Sequence, residues 1–155
     1  METSIRCGRD EDREAILACV RAAYAKYIPR MGKEPAPMLT DYSTLITEGV
    51  VYVISDESGI RGVVVCFPKD DHFFLENIAI DPAYQGQGLG GALMAFVERQ
   101  ARAAGREEIR LYTHERMTEN LAYYSKLGYE EVDRRTEGGY NRVYFCKPVR
   151  SMGSA

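Results

Sequence analysis

No stretch of this 155-residue chain is long and apolar enough to cross a bilayer; its longest apolar runs, such as Gly62–Phe67, are far too short. The four cysteines, Cys7, Cys19, Cys66 and Cys146, are scattered and form no Cys-x-x-Cys pair. That spacing argues against a zinc site and against a disulfide framework, and it suits a reducing cytosol. No apolar h-region follows the polar opening Met1–Arg13, so no secretory signal is expected and the expected location is cytoplasmic. Charge of one sign is also missing. The formal net charge is −3, which gives no cationic field to recruit nucleic acid or an anionic membrane, and neither is expected as a partner. Repeats and low-complexity linkers are absent, and no cluster of residues suggests a bound metal.

What is present is ordinary for a soluble globular protein: 45% hydrophobic and 28% charged residues. The length suits one domain over residues 1–155, with a core from about residue 5 to residue 148. Ile5–Cys7 reads as a short strand, and Asp10 offers an N-cap for a helix to about Tyr27. Ile16, Leu17, Val20, Ala23, Tyr24 and Tyr27 recur there at three- and four-residue steps, giving one apolar face. From Tyr27 to Tyr42, three prolines and a glycine predict a structured loop, with a short helix following to about Glu48. Val50–Ser55 and Gly62–Phe67 are β-branched runs around Asp56-Glu57-Ser58-Gly59, a hairpin signal. Asp70-Asp71 turns the chain into Phe73–Ile80, with His72 as a turn residue, and Asp81-Pro82 ends that strand.

Leu89–Ala104 carries Leu89, Leu93, Phe96, Val97 and Ala101 on one helical face and closes at Gly105. Ile109–Thr113 is a strand. Thr118 is expected to cap a helix that ends at Gly128, and Tyr129–Arg134 and Arg142–Lys147 form a last hairpin. The predicted class is therefore α+β. Six to seven strands form a mixed, mostly antiparallel sheet flanked by about four helices, with Phe73–Ile80 and Ile109–Thr113 as a parallel pair.

The most informative segment is Asp81-Pro-Ala-Tyr-Gln-Gly-Gln-Gly-Leu-Gly-Gly-Ala-Leu93. A strand ends, a glycine-rich turn follows and an amphipathic helix begins. The first turn of a helix presents unpaired N–H groups and a positive dipole end, and glycines let a phosphate come close to them. The chemistry points to a diphosphate-bearing ligand. Gly86, Gly88 and Gly91 also satisfy Gly-x-Gly-x-x-Gly, but a dinucleotide fingerprint follows its strand almost directly, whereas Asp81–Gln85 intervene here and a β-hairpin precedes. The element order thus disfavours a dinucleotide-dependent oxidoreductase. A triphosphate-binding loop is excluded because Ala92 stands where that motif needs its lysine.

Gln85-Gly86-Gln87-Gly88-Leu89-Gly90 resembles the Q/R-x-x-G-x-G/A signature of the GNAT N-acetyltransferase superfamily. Phe74-Leu-Glu-Asn-Ile-Ala-Ile-Asp-Pro-Ala-Tyr84 looks like that family's central strand, and Met117–Glu130 resembles its helix ending in Y-x-x-L-G-F/Y. The resemblance covers about Ile5–Pro148 and is strongest from Phe73 to Tyr129. It implies an acyl-CoA N-acyltransferase that passes the acetyl group of acetyl-CoA, as co-substrate, directly to a primary amine of a small molecule or peptide. The rival function is an acyl-CoA sensor module that keeps the fold without turnover. The resemblance also implies a homodimer through the C-terminal strands.

Residue by residue, the resemblance implies that the two parallel strands splay and admit the pantetheine arm, with backbone contacts from Ile78, Ala79 and Ile80. The pyrophosphate would lie on N–H groups from Gln85, Gly86, Gln87, Gly88, Leu89, Gly90 and Gly91. Tyr124 matches the tyrosine that often protonates the departing sulfur; taken without the resemblance it reads as a core residue beside Tyr123 and Tyr129. Glu76, a carboxylate within an apolar strand, and His114, at the end of the next strand, are alternative general bases, as is a water chain. Asn120 is a candidate cofactor contact or a helix-start residue bonded to backbone. The chain departs from the family here, for many members carry asparagine where Met117 stands. On the acceptor side Tyr27, Arg30 and Met31, with Tyr24, Met38 and Tyr42, either line a pocket or pack a loop.

Overall fold

The computed structural model describes residues 2–150. The two ends of the expected domain, residue 1 and residues 151–155, lie outside the described residues. The strands are β1 (Ser4–Cys7), β2 (Val51–Asp56), β3 (Gly59–Lys69), β4 (His72–Ile80), β5 (Glu108–His114), β6 (Glu130–Glu137) and β7 (Tyr140–Pro148). The helices are α1 (Arg13–Tyr24), α2 (Ile28–Met31), α3 (Tyr42–Glu48), α4 (Leu89–Ala103) and α5 (Thr118–Lys126). The strands follow the order β1-β2-β3-β4-β5-β7-β6, and only β4 and β5 run parallel among the registers described. This is the α+β arrangement expected from the sequence. Among the described residues no helix is long and apolar enough to cross a membrane.

The chain divides into two compact units, and β4 contributes to both. The first unit comprises the residues up to Cys66 and Asn77–Val97. Within it α1 buries Ile16, Cys19, Val20, Ala23 and Tyr24, a three-and-four spacing that makes one stripe. Leu17, expected on that stripe, is only half-buried, and Cys19 takes the inward position. Asp10 does not cap the helix. Asp10–Asp12 form a 3-10 turn, and the Asp12 carboxylate instead accepts the Arg9 N–H at 2.8 Å and pairs with Arg6 at 2.7 Å. The Arg6 hydrogen bond holds the Asp12 carboxyl below its ordinary range and ties β1 to the start of α1.

α1 ends at Tyr24, where a 3-10 turn over Ala25–Tyr27 tightens the chain. Pro29 falls in the first turn of α2, where its missing N–H costs nothing, and Gly32 at φ 73° closes that turn. Asp41 caps α3 through the Thr44 N–H at 3.3 Å. In β3, Gly62 permits a close approach. A Cβ there would sit 2.8 Å from Ile80 Cδ1, 2.9 Å from Ile54 Cγ2 and 3.2 Å from the Ala79 carbonyl. A side chain at this position would push directly on the end of β4.

The second unit comprises Phe67–Glu76 and the residues from Glu98 onward. Phe73, Phe74 and Leu75 pair with Ile109, Arg110 and Leu111; the register covers three pairs although β4 has nine residues and β5 seven. β5 is fully paired on its other side, from Glu108↔Pro148 to His114↔Arg142. β6 and β7 close as a hairpin over Gly138 and Gly139, both at positive φ (58° and 82°), which suits a two-residue turn. Two local expectations fail here. His72 is not a turn residue but the buried first residue of β4, with its ring against Phe74. Thr118 does not cap α5; Met117 holds that position without a capping side chain, and the Thr118 hydroxyl turns to Glu119 instead.

Candidate functional site

In the first unit, the Asp81 carboxylate accepts the Ala83 N–H at 3.0 Å and ends β4, and Pro82–Tyr84 make one 3-10 turn. The Arg61 guanidinium lies 4.0 Å over the Tyr84 ring and braces this corner. Gly86 and Gly88 follow at φ 82° and 80°, a conformation that side chains rarely adopt. Nothing stands within 4 Å of where a Cβ would project from Gly86, Gly88 or Gly91. Gln85–Gly88 are exposed, whereas Leu89 and Leu93 are buried and anchor the helix that begins there. The first turn of the 15-residue α4 therefore opens onto uncluttered space with N–H groups that lack intrahelical partners. This geometry fits a diphosphate, which needs close approach and donors rather than a cation.

The end of β4 and the proline-rich loop belong to the same unit. The Tyr24 hydroxyl donates to the Ile78 carbonyl at 3.0 Å, and Gln85 Nε2 donates to the Ile80 carbonyl at 3.3 Å. Gln85 thus ties the turn back to its own strand. Ala79 is buried. Tyr27 is buried, with Lys26 5.1 Å and Arg30 5.2 Å from its ring centroid; Arg30 itself is exposed and Met31 half-buried. Sequence reasoning passed over Asn77. It is buried in β4, donates from Nδ2 to Tyr42 Oη at 2.9 Å, and the Tyr42 hydroxyl donates to the Pro37 carbonyl at 2.7 Å. The available signal was the one that singled out Glu76: a polar residue within an apolar strand.

The second unit holds the remaining candidates. Tyr124 is 6% exposed, and its ring meets Tyr129, Phe145 and Tyr123 at 5.8, 5.9 and 5.7 Å. Glu76 is half-buried with Oε2 shielded from solvent. Burial raises the Tyr112 phenol, with Arg142 opposing and the negative charge of Glu76 adding to the rise. His114 lies at the end of β5, and its Nδ1 accepts the Arg116 N–H at 3.0 Å. In the neutral ring this places the proton on Nε2, so the lone pair a base would use is already engaged. Asn120 Nδ2 donates to Thr113 Oγ1 at 3.3 Å and approaches Met117 Sδ at 3.6 Å, and Thr113 Oγ1 lies 3.4 Å from the same sulfur. Among the described residues no three His, Cys, Asp or Glu side chains gather as a metal-binding group.

Residues 47–131, more than half of the chain, match the acetyltransferase (GNAT) domain family. The chain belongs to the GNAT acetyltransferase family. The co-substrate of GNAT acetyltransferases is acetyl-CoA. A curated relative, the ribosomal protein bS18-alanine N-acetyltransferase of Haemophilus influenzae, is 32% identical over 93 residues, 60% of this chain and 59% of that protein. The matched stretch therefore spans less than two thirds of the relative's length. The fold is shared with the ribosomal-protein-S18-alanine N-acetyltransferase of Escherichia coli (TM-score 0.75, 21% identity, 99% of this chain and 97% of that one). It is shared also with the PaiA N-acetyltransferase of Thermoplasma acidophilum, solved in complex with coenzyme A (TM-score 0.79, 19% identity, 96% and 99%).

Proposed function

We propose that this GNAT chain works as one catalytic domain that transfers the acetyl group of acetyl-CoA directly to a primary amine. The observation that carries the proposal is the glycine turn, with positive φ at Gly86 and Gly88 and open space above Gly86, Gly88 and Gly91. N–H groups from Gln85 through Gly91 would hold the pyrophosphate, and the backbone of Ile78, Ala79 and Ile80 the pantetheine arm. The three-pair register between β4 and β5 supports the second assignment, since the described pairing with β5 stops at Leu75, before Ile78–Ile80; the Ile78 and Ile80 carbonyls each accept one side-chain donor and keep a second lone pair. Asn120 is the weakest of the proposed cofactor contacts, because its amide already serves Thr113 and Met117.

In the proposed reaction the ammonium first gives one proton to a base. The freed amine nitrogen then forms a C–N bond to the acetyl carbon as the C–S bond breaks. The departing sulfur takes a proton from the acid, which recovers one from the nitrogen, leaving an amide and the free thiol. Glu76 is the proposed base and Tyr124 the proposed acid, with His114 disfavoured by its engaged Nδ1. Direct attack is also favoured by the state of the thiols. Burial pushes Cys19 and Cys66 up to about 12, and burial together with Glu108 does the same to Cys146, so none of the three offers a ready thiolate. The relative that acetylates a ribosomal protein makes the α-amine of a peptide the first acceptor to try, and Tyr27, Arg30 and Met31 are its proposed contacts.

The cofactor assignment predicts an uncommon pair of effects in Gly91→Ala. The position is helical and open, so alanine should stabilise the free protein by up to about 1 kcal/mol. The same methyl group should weaken acetyl-CoA binding by standing where phosphate oxygens approach. For the wild type, acetyl-CoA at a hundredfold excess over its Kd should stabilise by about 2.7 kcal/mol. Thermal unfolding with and without acetyl-CoA checks both, and an undiminished ligand shift in the variant would count against this cradle.

We also propose a cytoplasmic homodimer formed through the C-terminal strands. β6 is an edge of the sheet and leaves Val132 at 60% exposure, which supports such pairing. Light scattering at high concentration should report twice the chain mass; a monomer alone would refute the pairing.

A further inference from the structure

We infer that Asn77 recognises the acceptor, its side-chain carbonyl accepting an N–H of the attacking amine. The inference rests on the acetyl-transfer reading and extends it to a residue that selects primary amines. Asn77 is 6% exposed and sits in β4 among Phe73, Phe74, Leu75, Ile78, Ala79 and Ile80, a run otherwise apolar but for Glu76. The orientation of its amide follows from hydrogen-bond arithmetic. A hydroxyl has one proton, and that of Tyr42 goes to the Pro37 carbonyl at 2.7 Å. Tyr42 can therefore only accept from Asn77, so Nδ2 faces Tyr42 at 2.9 Å and Oδ1 is turned to the other side. There Oδ1 is buried without a hydrogen-bond partner in the protein. A buried amide oxygen left unmet carries its full desolvation penalty, so such a group in a folded enzyme calls for an explanation.

Location and chemistry supply one. The residue is tied through Tyr42 to the proline-rich loop, where the acceptor contacts are proposed, and it directly precedes Ile78–Ile80, where the pantetheine arm is proposed. A neutral carbonyl suits a neutral amine better than a carboxylate would. A carboxylate there would hold the ammonium as an ion pair and oppose its deprotonation, whereas an amide oxygen adds no charge. A primary amine carries two N–H bonds once it is neutral. One proton leaves with the sulfur as the thiol, and the other stays in the product amide. An Oδ1 that accepts the retained N–H turns the nitrogen lone pair toward the acetyl carbon, and the hydrogen bond survives the reaction. A secondary amine loses its single N–H on transfer, so no bond to Oδ1 remains in its product. The site should therefore discriminate between the two classes.

The test uses hydroxylamine and N-methylhydroxylamine as matched probe acceptors, both largely unprotonated at neutral pH. Thiol release is followed with the full chain and saturating acetyl-CoA, and each rate is divided by its uncatalysed rate. The wild type is expected to favour hydroxylamine by about tenfold in kcat/KM, the worth of one hydrogen bond. Asn77→Leu, an apolar near-isostere, should reduce the preference to about twofold or less with KM for acetyl-CoA unchanged, and Asn77→Ser serves if the leucine variant does not fold. Tyr42→Phe removes the oxygen that orients the amide but keeps Oδ1 itself, so it should lower the preference only in part, to a value between those of the wild type and Asn77→Leu. A preference that persists in both Asn77 variants overturns the inference. So does a preference lost equally in Tyr42→Phe, which would reduce Asn77 to a loop tie. Failure to accelerate either probe, while acetyl-CoA still raises the melting temperature, overturns it as well and leaves the cofactor site standing. Failure of both turnover and stabilisation defeats the acetyl-transfer reading itself.

Discussion

Replacing Tyr124 with phenylalanine is expected to lower kcat by at least tenfold while acetyl-CoA affinity and stability stay nearly unchanged. The structure makes this substitution a clean one. The Tyr124 ring packs on Tyr129, Phe145 and Tyr123, and phenylalanine keeps all three ring contacts. Only the hydroxyl is lost. A thiol with a pKa near 8.5 is a fair leaving group in water, but a bare thiolate in a water-poor cleft is poorly solvated. A phenol one hydrogen bond away stabilises that developing charge, and acid catalysis of this kind is typically worth about 10²–10⁴ in rate. Steady-state turnover with an acceptor amine, set beside acetyl-CoA titration and thermal unfolding, decides the matter. A destabilised protein with an unchanged rate would show that Tyr124 serves only the aromatic cluster around it.

Glu76→Gln should cost about 10²–10⁴ in kcat/KM for an alkylamine acceptor at neutral pH, because the variant keeps the shape and loses the base. An alkylammonium has a pKa of about 10.4, so at neutral pH almost none of the acceptor is nucleophilic without help. Below that pKa the neutral fraction grows tenfold per pH unit. The variant should therefore recover with rising pH along a line of about unit slope in log rate, while the wild type flattens once Glu76 is ionised. Hydroxylamine needs no deprotonation at neutral pH and should be affected far less than an alkylamine. An equal loss for both nucleophiles would assign Glu76 to binding rather than proton transfer. His114→Gln should leave the profile largely intact, since the Arg116 N–H already occupies the ring nitrogen that would take the proton.

The class of fold was legible in the residues themselves because its signals are local. Ile16, Val20, Ala23 and Tyr24 repeat at helical steps, β2 and β3 are β-branched runs around a tight turn, and Gly138-Gly139 can hardly be anything but a turn. The details that went astray are those in which a side chain chose among several local partners. Asp10 looked like a cap, but Asp12 found Arg6 on β1, and a strand fixed by its neighbour outweighs a cap within the turn. Thr118 looked like a cap too, yet Met117 took the position, with its sulfur against Thr113 and Asn120. His72 followed two aspartates and read as a turn, but the pairing of Phe73 with Ile109 drew the strand back to include it.

The sequence by itself determined that a strand, a glycine turn and a helix start follow one another from Phe73 to Leu93, which is the ground for proposing a phosphate-bearing ligand there. Positive φ and a bare backbone are properties of glycine, and the run of residue types is enough to announce them. Only the tertiary structure decided what the polar groups of β4 and β5 do. Whether His114 has a lone pair to give depends on the Arg116 N–H, and whether Asn120 is at liberty depends on Thr113. The direction of the Asn77 carbonyl depends on a tyrosine 35 residues away and on the proline carbonyl that claims its proton. Hydrogen bonding is short-ranged and directional, so these assignments exist only once chain segments distant in sequence have been brought within about 3 Å of one another.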